Sequence, residues 1–223
     1  YDLGDYIKIG DLLVLNQTRV IPARLYGQKL PGMGRLEILL LKKHNELEWD
    51  CLMGGSGMKA GKRLQVNDGP QAEVVGVLEG AKRLVRFDAP IECFFDKAGH
   101  VPLPPYIHGY GGDPERYQTV FNKTPGSAAA PTAGLHFTKE LLETLKAKGA
   151  ETATIDLQVG LDTFAPVTEE YAAEHHIHSE WCSVSQEAVD KINTAKSSGG
   201  RIIPVGTTAV RTLESLADNA ENG

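Results

Sequence analysis

The sequence predicts an α/β protein interrupted by a run of short antiparallel strands. Two observations lead there. After about residue 100, apolar strand-like runs alternate with amphipathic helical stretches, whereas from about Ala23 to Ala98 short apolar runs are cut by Gly, Pro, Asn and Asp. Strand–helix alternation with short links favours a mainly parallel, buried sheet or barrel. Short strands at close spacing favour a small antiparallel barrel or sandwich. A chain of 223 residues, 41% of them hydrophobic, can bury one sizeable core, or one core plus a smaller appended one.

Leu12-Leu-Val-Leu15, after Gly10-Asp11, reads as a buried strand that runs into the polar loop Asn16-Gln-Thr-Arg19. Within the interrupting stretch, strands are expected at Leu36–Leu41, Leu47–Leu52, Arg63–Val66, Ala72–Leu78 and Lys82–Phe87. Val101-Pro-Leu-Pro-Pro-Tyr-Ile107 is a stiff linker, because its prolines fix φ and forbid a helix interior. Thr138 to Lys148 reads as a helix with a capping Thr, acidic residues Glu140 and Glu143 near its start and Gly149 as its stop. A strand over Thr152–Val159 follows, then an amphipathic helix over Ser185–Ser197 with Ala188, Val189, Ile192 and Ala195 on one stripe. Arg201-Ile-Ile-Pro-Val205 is a further strand, and Gly206-Thr-Thr208 turns it into a final helix through Leu216.

The charge balance, 23 Lys and Arg against 29 Asp and Glu, argues against a nonspecific nucleic-acid coat. A local basic groove on an acidic body stays open. Cys51, Cys93 and Cys182 lie far apart with no CxxC pair, which reads as reduced thiols in a cytoplasmic protein and not as a disulfide framework or zinc site. No run is long and apolar enough for a membrane span.

Several segments have the composition of a site. Pro125-Gly-Ser-Ala-Ala-Ala-Pro-Thr-Ala-Gly-Leu-His-Phe137 is rich in small residues that let backbone approach a ligand, ahead of a helix start suited to an anion. Tight packing of that loop is an equal reading. His136 has the titration range of an acid or base, although a lone histidine is more often structural. Glu115-Arg-Tyr-Gln-Thr-Val120 offers Arg116 as a carboxylate or phosphate clamp, against the plainer reading of an exposed ion pair. His175-His-Ile-His-Ser-Glu-Trp181 fits no common zinc spacing, so no metal is expected. In an extended segment His178 and Glu180 face one side as a proton-transfer pair, and Trp181 faces the core. Gly206-Thr207-Thr208 sets amides and hydroxyls at a helix N-terminus, and Arg211 and Glu214 are spaced to pair with each other. The glycine-rich stretch from Gly54 to Arg63 lacks the P-loop spacing, and no GxGxxG follows a strand, which disfavours a Rossmann enzyme.

Six segments, taken together, carry a family resemblance. They are Leu12-Leu-Val-Leu-Asn-Gln-Thr-Arg-Val-Ile-Pro-Ala-Arg-Leu25, Pro102-Leu-Pro-Pro-Tyr-Ile107, Glu115-Arg-Tyr-Gln-Thr-Val120, Ala128-Ala-Ala-Pro-Thr-Ala-Gly-Leu-His-Phe137, His178-Ser-Glu-Trp181 and Val205-Gly-Thr-Thr-Ala-Val-Arg-Thr-Leu-Glu214. In order and spacing, across nearly the whole chain, these resemble the S-adenosylmethionine:tRNA ribosyltransferase-isomerases. The resemblance implies a barrel-like α/β main domain, residues 1–23 and 100–223, with a small antiparallel β-barrel inserted at 24–99. It implies further chain at both ends. It also implies transfer and isomerisation of the ribose of S-adenosylmethionine onto 7-aminomethyl-7-deazaguanine (preQ1) at the tRNA wobble position, giving epoxyqueuosine, adenine and methionine. S-adenosylmethionine is then a cosubstrate, with no bound cofactor and no membrane partner, and a cytoplasmic monomer is expected.

Against that chemistry, His178, Glu180 and His136 are the expected proton-handling groups. Arg19, Arg116 and Arg211 would hold the methionine carboxylate and RNA phosphates, and Thr132, Thr207 and Thr208 the ribose. Asn16, Thr18, Tyr117, Gln118, Pro131, Gly134 and Gly206 complete the expected substrate-binding set. The chain departs from the family pattern at Gly54-Gly-Ser-Gly57, where a basic stretch is usual, and at Gln158, Asp162 and Ala165. These departures leave a divergent enzyme with another acceptor, or a noncatalytic nucleotide or RNA binder, as alternatives.

Overall fold

A computed structural model describes residues 2–54, 57–104, 107, 110–160, 171 and 179–222. The chain divides into two compact units, one of residues 1–20 with 109–223, the other of residues 21–108.

The second unit is a closed antiparallel barrel. Its strands are β3 (Arg24–Lys29), β4 (Arg35–Lys43), β5 (Glu48–Met53), β6 (Arg63–Val66), β7 (Gln71–Val77) and β8 (Lys82–Phe87), named after β1 and β2 of the other unit. They run around the ring in the order β4-β5-β8-β7-β6-β3, and pairing of β3 with β4 closes it. Closure leaves no free sheet edge within the ring. Alternate residues fill the interior: Leu25, Ile38, Leu40, Trp49, Leu64, Val74, Val85 and Phe87, with Met58 from the loop before β6. A short helix α2 (Phe95–Ala98) and the two-residue β9 (Gly99–His100) complete the unit, β9 pairing with β3. All five strands expected here form. β3 was not anticipated, because Arg-Leu-Tyr-Gly-Gln-Lys has little apolar alternation and earns its place by closing the ring.

The first unit is α/β. It opens with α1 (Leu3–Tyr6), followed by β1 (Leu12–Asn16) and β2 (Thr18–Val20), and resumes with β10 (Thr124–Ser127). Then come α3 (Lys139–Ala147), β11 (Glu151–Leu157), β12 (Cys182–Val184), α4 (Gln186–Ser197), β13 (Ile202–Pro204) and α5 (Thr207–Asn222). The main sheet has the order β12-β11-β1-β13, with β11, β1 and β13 parallel and β12 antiparallel at one edge. A separate pair joins β2 and β10 in parallel.

The continuous apolar run of β1 reflects burial on both faces. On one face Leu12 and Val14 pack with Ile155, Leu157, Ala188 of α4 and Ala209 of α5. On the other, Leu13 and Leu15 pack with Phe137 and with Leu145 of α3. Helix starts fall where the caps put them: the Thr138 hydroxyl accepts from Leu141 N–H, and the Ser185 hydroxyl from Ala188 N–H. Among the described residues no helix is long and apolar enough to cross a membrane, and no three His, Cys, Asp or Glu side chains gather as a metal site.

At the amino end of β1, Asp11 is only 2% exposed, and Arg201 grips it through Nε at 2.9 Å and Nη2 at 2.5 Å. That grip, opposed by desolvation and helped by the Lys8 N–H, pulls the Asp11 carboxyl down to about 2.

Candidate active site at the carboxyl edge of the parallel strands

β1, β11 and β13 point the same way, so Asn16, Leu157 and Pro204 end at one edge of the sheet. Antiparallel β12 starts at that edge, since Cys182 lies opposite Leu157. In open α/β sheets this carboxyl edge is where ligands bind.

Asn16 fixes the edge. Its side chain is 1% exposed; Nδ2 donates to Leu157 O at 3.0 Å, while Oδ1 accepts from Leu157 N at 3.1 Å and Thr18 N at 3.2 Å. The amide therefore continues the β1–β11 ladder one residue further and turns the chain into β2. Beside it, Gln17 donates to Asp156 Oδ2 at 2.9 Å. Thr18 is buried to the same degree, and among the described residues its hydroxyl has no hydrogen-bond partner.

Arg19, on β2, forms a two-pronged pair with Glu115 and also donates to Asn122 Oδ1 at 2.6 Å. Glu115 belongs to the 3-10 turn Pro114–Tyr117, which Asp113 caps by accepting from Glu115 N–H. In the same turn Tyr117 is buried and Arg116 is exposed; among the described residues no carboxylate pairs with Arg116. Gln118 grips the backbone of Val20 on both sides, accepting from its N–H and donating to its carbonyl, each at 3.0 Å.

The small-residue segment divides its duties. Thr124–Ser127 forms β10, and Ala128, Ala129, Ala130 and Pro131 are buried. Gly134 is buried where a Cβ would meet Phe121 Cζ and Thr119 Cγ2 at 2.8 Å. Packing thus explains most of the small side chains. Thr132 and His136, on the 3-10 turn Thr132–His136, are exposed.

The turn into α5 completes the edge. Val205 N–H bonds to Val14 O at 2.9 Å. Gly206 adopts φ +85°, and a Cβ there would sit 3.0 Å from Ala133 Cβ, so this turn lies directly against the one that carries Thr132 and His136. Thr207 is exposed at the start of α5, and Thr208 is half-buried, its hydroxyl without a hydrogen-bond partner among the described residues.

Glu180 and Trp181 correct the sequence reading. Trp181 is 56% exposed, not core, while its backbone carbonyl accepts from Gln158 N–H at 2.9 Å. Glu180 turns inward instead, 6% exposed in its side chain; it accepts from Gly160 N–H at 2.8 Å and from Arg211 Nη1 at 2.7 Å. Arg211 therefore reaches Glu180. His178, Asp162 and Ala165 lie outside the described residues. Gln158 is described, and a Cβ on Gly126 would meet its amide nitrogen at 2.4 Å.

Thus Asn16, Thr132, His136, Glu180, Gly206, Thr207 and Arg211 belong to segments that meet around one sheet edge. Gln17 and Asp156 are residues at this edge that the sequence reading missed; only the register of β1 on β11 brings them together.

The chain is similar to proteins named S-adenosylmethionine:tRNA ribosyltransferase-isomerase. That of Finegoldia magna is 48% identical over 98% of this chain and 64% of its own length. That of Acetivibrio thermocellus is 50% identical over 100% of this chain and 66% of its own length. The chain thus spans a little under two thirds of the length of these curated relatives. A crystal structure of S-adenosylmethionine tRNA ribosyltransferase from Thermotoga maritima aligns at 32% identity over 97% of this chain and 59% of that one, with a TM-score of 0.38. The family model described as queuosine biosynthesis protein matches residues 1–223, so the chain belongs to that family.

Proposed function

We propose that this protein transfers and isomerises the ribose of S-adenosylmethionine onto preQ1 at the wobble position of tRNA, yielding epoxyqueuosine and releasing adenine and methionine. The observation that carries the reading is the meeting of the segments at Asn16, Thr132, Glu180 and Thr207 around the carboxyl edge of β11-β1-β13. The names of the relatives supply the donor and the acceptor class.

The chemistry sets the roles. A base removes a proton from the carbon beside the sulfonium, whose positive charge stabilises the carbanion left behind. An acid returns a proton to adenine as its bond to the sugar breaks. The aminomethyl nitrogen of preQ1 then bonds to the sugar and gives up one proton, and a sugar oxygen displaces the sulfonium, closing the epoxide as methionine departs as a neutral thioether. His136 and His178 are the proton-handling groups of this scheme. His136 is exposed and bonds to none of the described side chains. Arg116, exposed and paired with no carboxylate among the described residues, offers a cation to a carboxylate or phosphate, whereas Arg19 and Arg211 are engaged by Glu115 and Glu180. Thr132, Thr207 and Thr208 offer hydroxyls to the ribose. Asn16 holds the end of β11 and the turn into β2, and Gln118 holds Val20 at the end of β2. S-adenosylmethionine serves as cosubstrate without a bound cofactor, and the protein acts as a cytoplasmic monomer.

The test measures adenine released from S-adenosylmethionine with and without preQ1-containing tRNA. Release that requires the tRNA is expected. Release without it means another acceptor, and no release means a binding protein.

A further inference from the structure

By residue type, Glu180 qualifies as the acid or base of this reaction. Its surroundings point elsewhere. The side chain is 6% exposed and turned inward, and each oxygen is taken by a donor from a different segment. Oε1 accepts from the N–H of Gly160, three residues past the end of β11. Oε2 accepts from Arg211, in the second turn of α5. Glu180 itself precedes β12. One carboxylate thereby ties together the exit of β11, the entry to β12 and the helix whose first turn carries Thr207 and Thr208.

We infer that Glu180 is a positioning residue: with Arg211 it pins α5 and its Gly206-Thr207-Thr208 turn to the end of β11, and it exchanges no proton with substrate. A general base must bring a lone pair within hydrogen-bond reach of the proton it removes. A carboxylate facing inward between Gly160 and Arg211 does not do so unless both bonds rearrange. Protonating it would also leave the guanidinium, itself only 37% exposed, beside a neutral acid and forfeit the charge-assisted half of the pair. The same geometry removes Arg211 from the cations that hold substrate: its charge is engaged in placing α5.

The activity arm of the test rests on the proposed reaction; the structural arm does not. Glu180→Gln keeps a single acceptor oxygen, enough for Gly160, sets an amide NH2 that cannot accept against Arg211 and abolishes acid–base function, whereas Glu180→Ala removes both acceptors. With hydrogen exchange followed at the Gly160 amide, Glu180→Gln is expected to keep its protection and Glu180→Ala to speed exchange by roughly tenfold or more. In a pH profile of adenine release, Glu180→Gln should retain every limb seen in the parent, at a rate within about tenfold, well short of the 10²–10⁴-fold effect of a lost acid–base group. Glu180→Ala should raise the KM for S-adenosylmethionine. Loss of a limb in Glu180→Gln while Gly160 stays protected would overturn the inference and make Glu180 a catalytic residue. Unchanged Gly160 exchange in Glu180→Ala would overturn it equally. If the parent releases no adenine, the functional reading fails by itself, and Gly160 exchange still decides whether the latch exists.

Discussion

Asn16 and Thr18 sit two positions apart, equally buried, and have opposite energetic accounts. Asn16 satisfies three backbone groups, so Asn16→Ala should strand Leu157 and Thr18 backbone atoms and cost about 3 kcal/mol in urea unfolding. The Thr18 hydroxyl bonds to nothing among the described residues, so the isosteric Thr18→Val should leave stability unchanged or raise it by about 1 kcal/mol. A loss of similar size from both substitutions would show that the Thr18 hydroxyl has a partner. Asp11 adds a pH dependence. Its folded carboxyl titrates near 2, below its ordinary 3.8, so its contribution is fully present above about pH 4 and is lost as pH falls from there toward 2. The half-exposed Arg201 screens the pair, which keeps the effect on the order of 1 kcal/mol. Asp11→Asn should flatten the acid limb of the stability curve in that window. At this scale the sequence named the edge residues by chemistry but not by task. Asn16, Gln118 and Gly134 were legible as unusual, yet what each one bonds or packs against lies about a hundred residues or more away, or across a turn.

Among the elements, legibility followed local signals. α3 and α4 begin where Thr138 and Ser185 cap them, because capping is decided within four residues. Thr138→Ala should accordingly cost about 1 kcal/mol, read as a lower thermal midpoint. Gly206 is another local signal, and its cause is visible: φ is +85° and Ala133 closes the space. Gly206→Ala should destabilise by about 1–2 kcal/mol through the left-handed backbone alone. It should also displace Thr207 and raise the KM for S-adenosylmethionine more than it lowers kcat. β3 was not legible, because only ring closure selects it. The facing of Glu180 and Trp181 was misread for a related reason. Only three residues of β12 pair with β11, so period-two alternation has no anchored start there, and a shift of one residue exchanges inside for outside.

For the molecule as a whole, the change of texture near residues 23 and 98 reported a separate hydrophobic interior, because a ring of short strands needs turn residues where an α/β sheet needs helices. That interior holds Cys51, whose thiol is pushed well above its ordinary value by burial and, secondarily, by Asp50. Alkylation under native conditions should therefore reach exposed Cys93 first, half-buried Cys182 next and Cys51 only when the barrel opens. Mass mapping over time checks the order, and early labelling of Cys51 would mean the barrel breathes. Gln118 bears on how the short strand β2 is kept whole. Val20, in β2, is only 3% exposed, so water cannot readily satisfy its peptide. The Gln118 carboxamide supplies a donor and an acceptor at once, a single side chain standing in for a stretch of backbone.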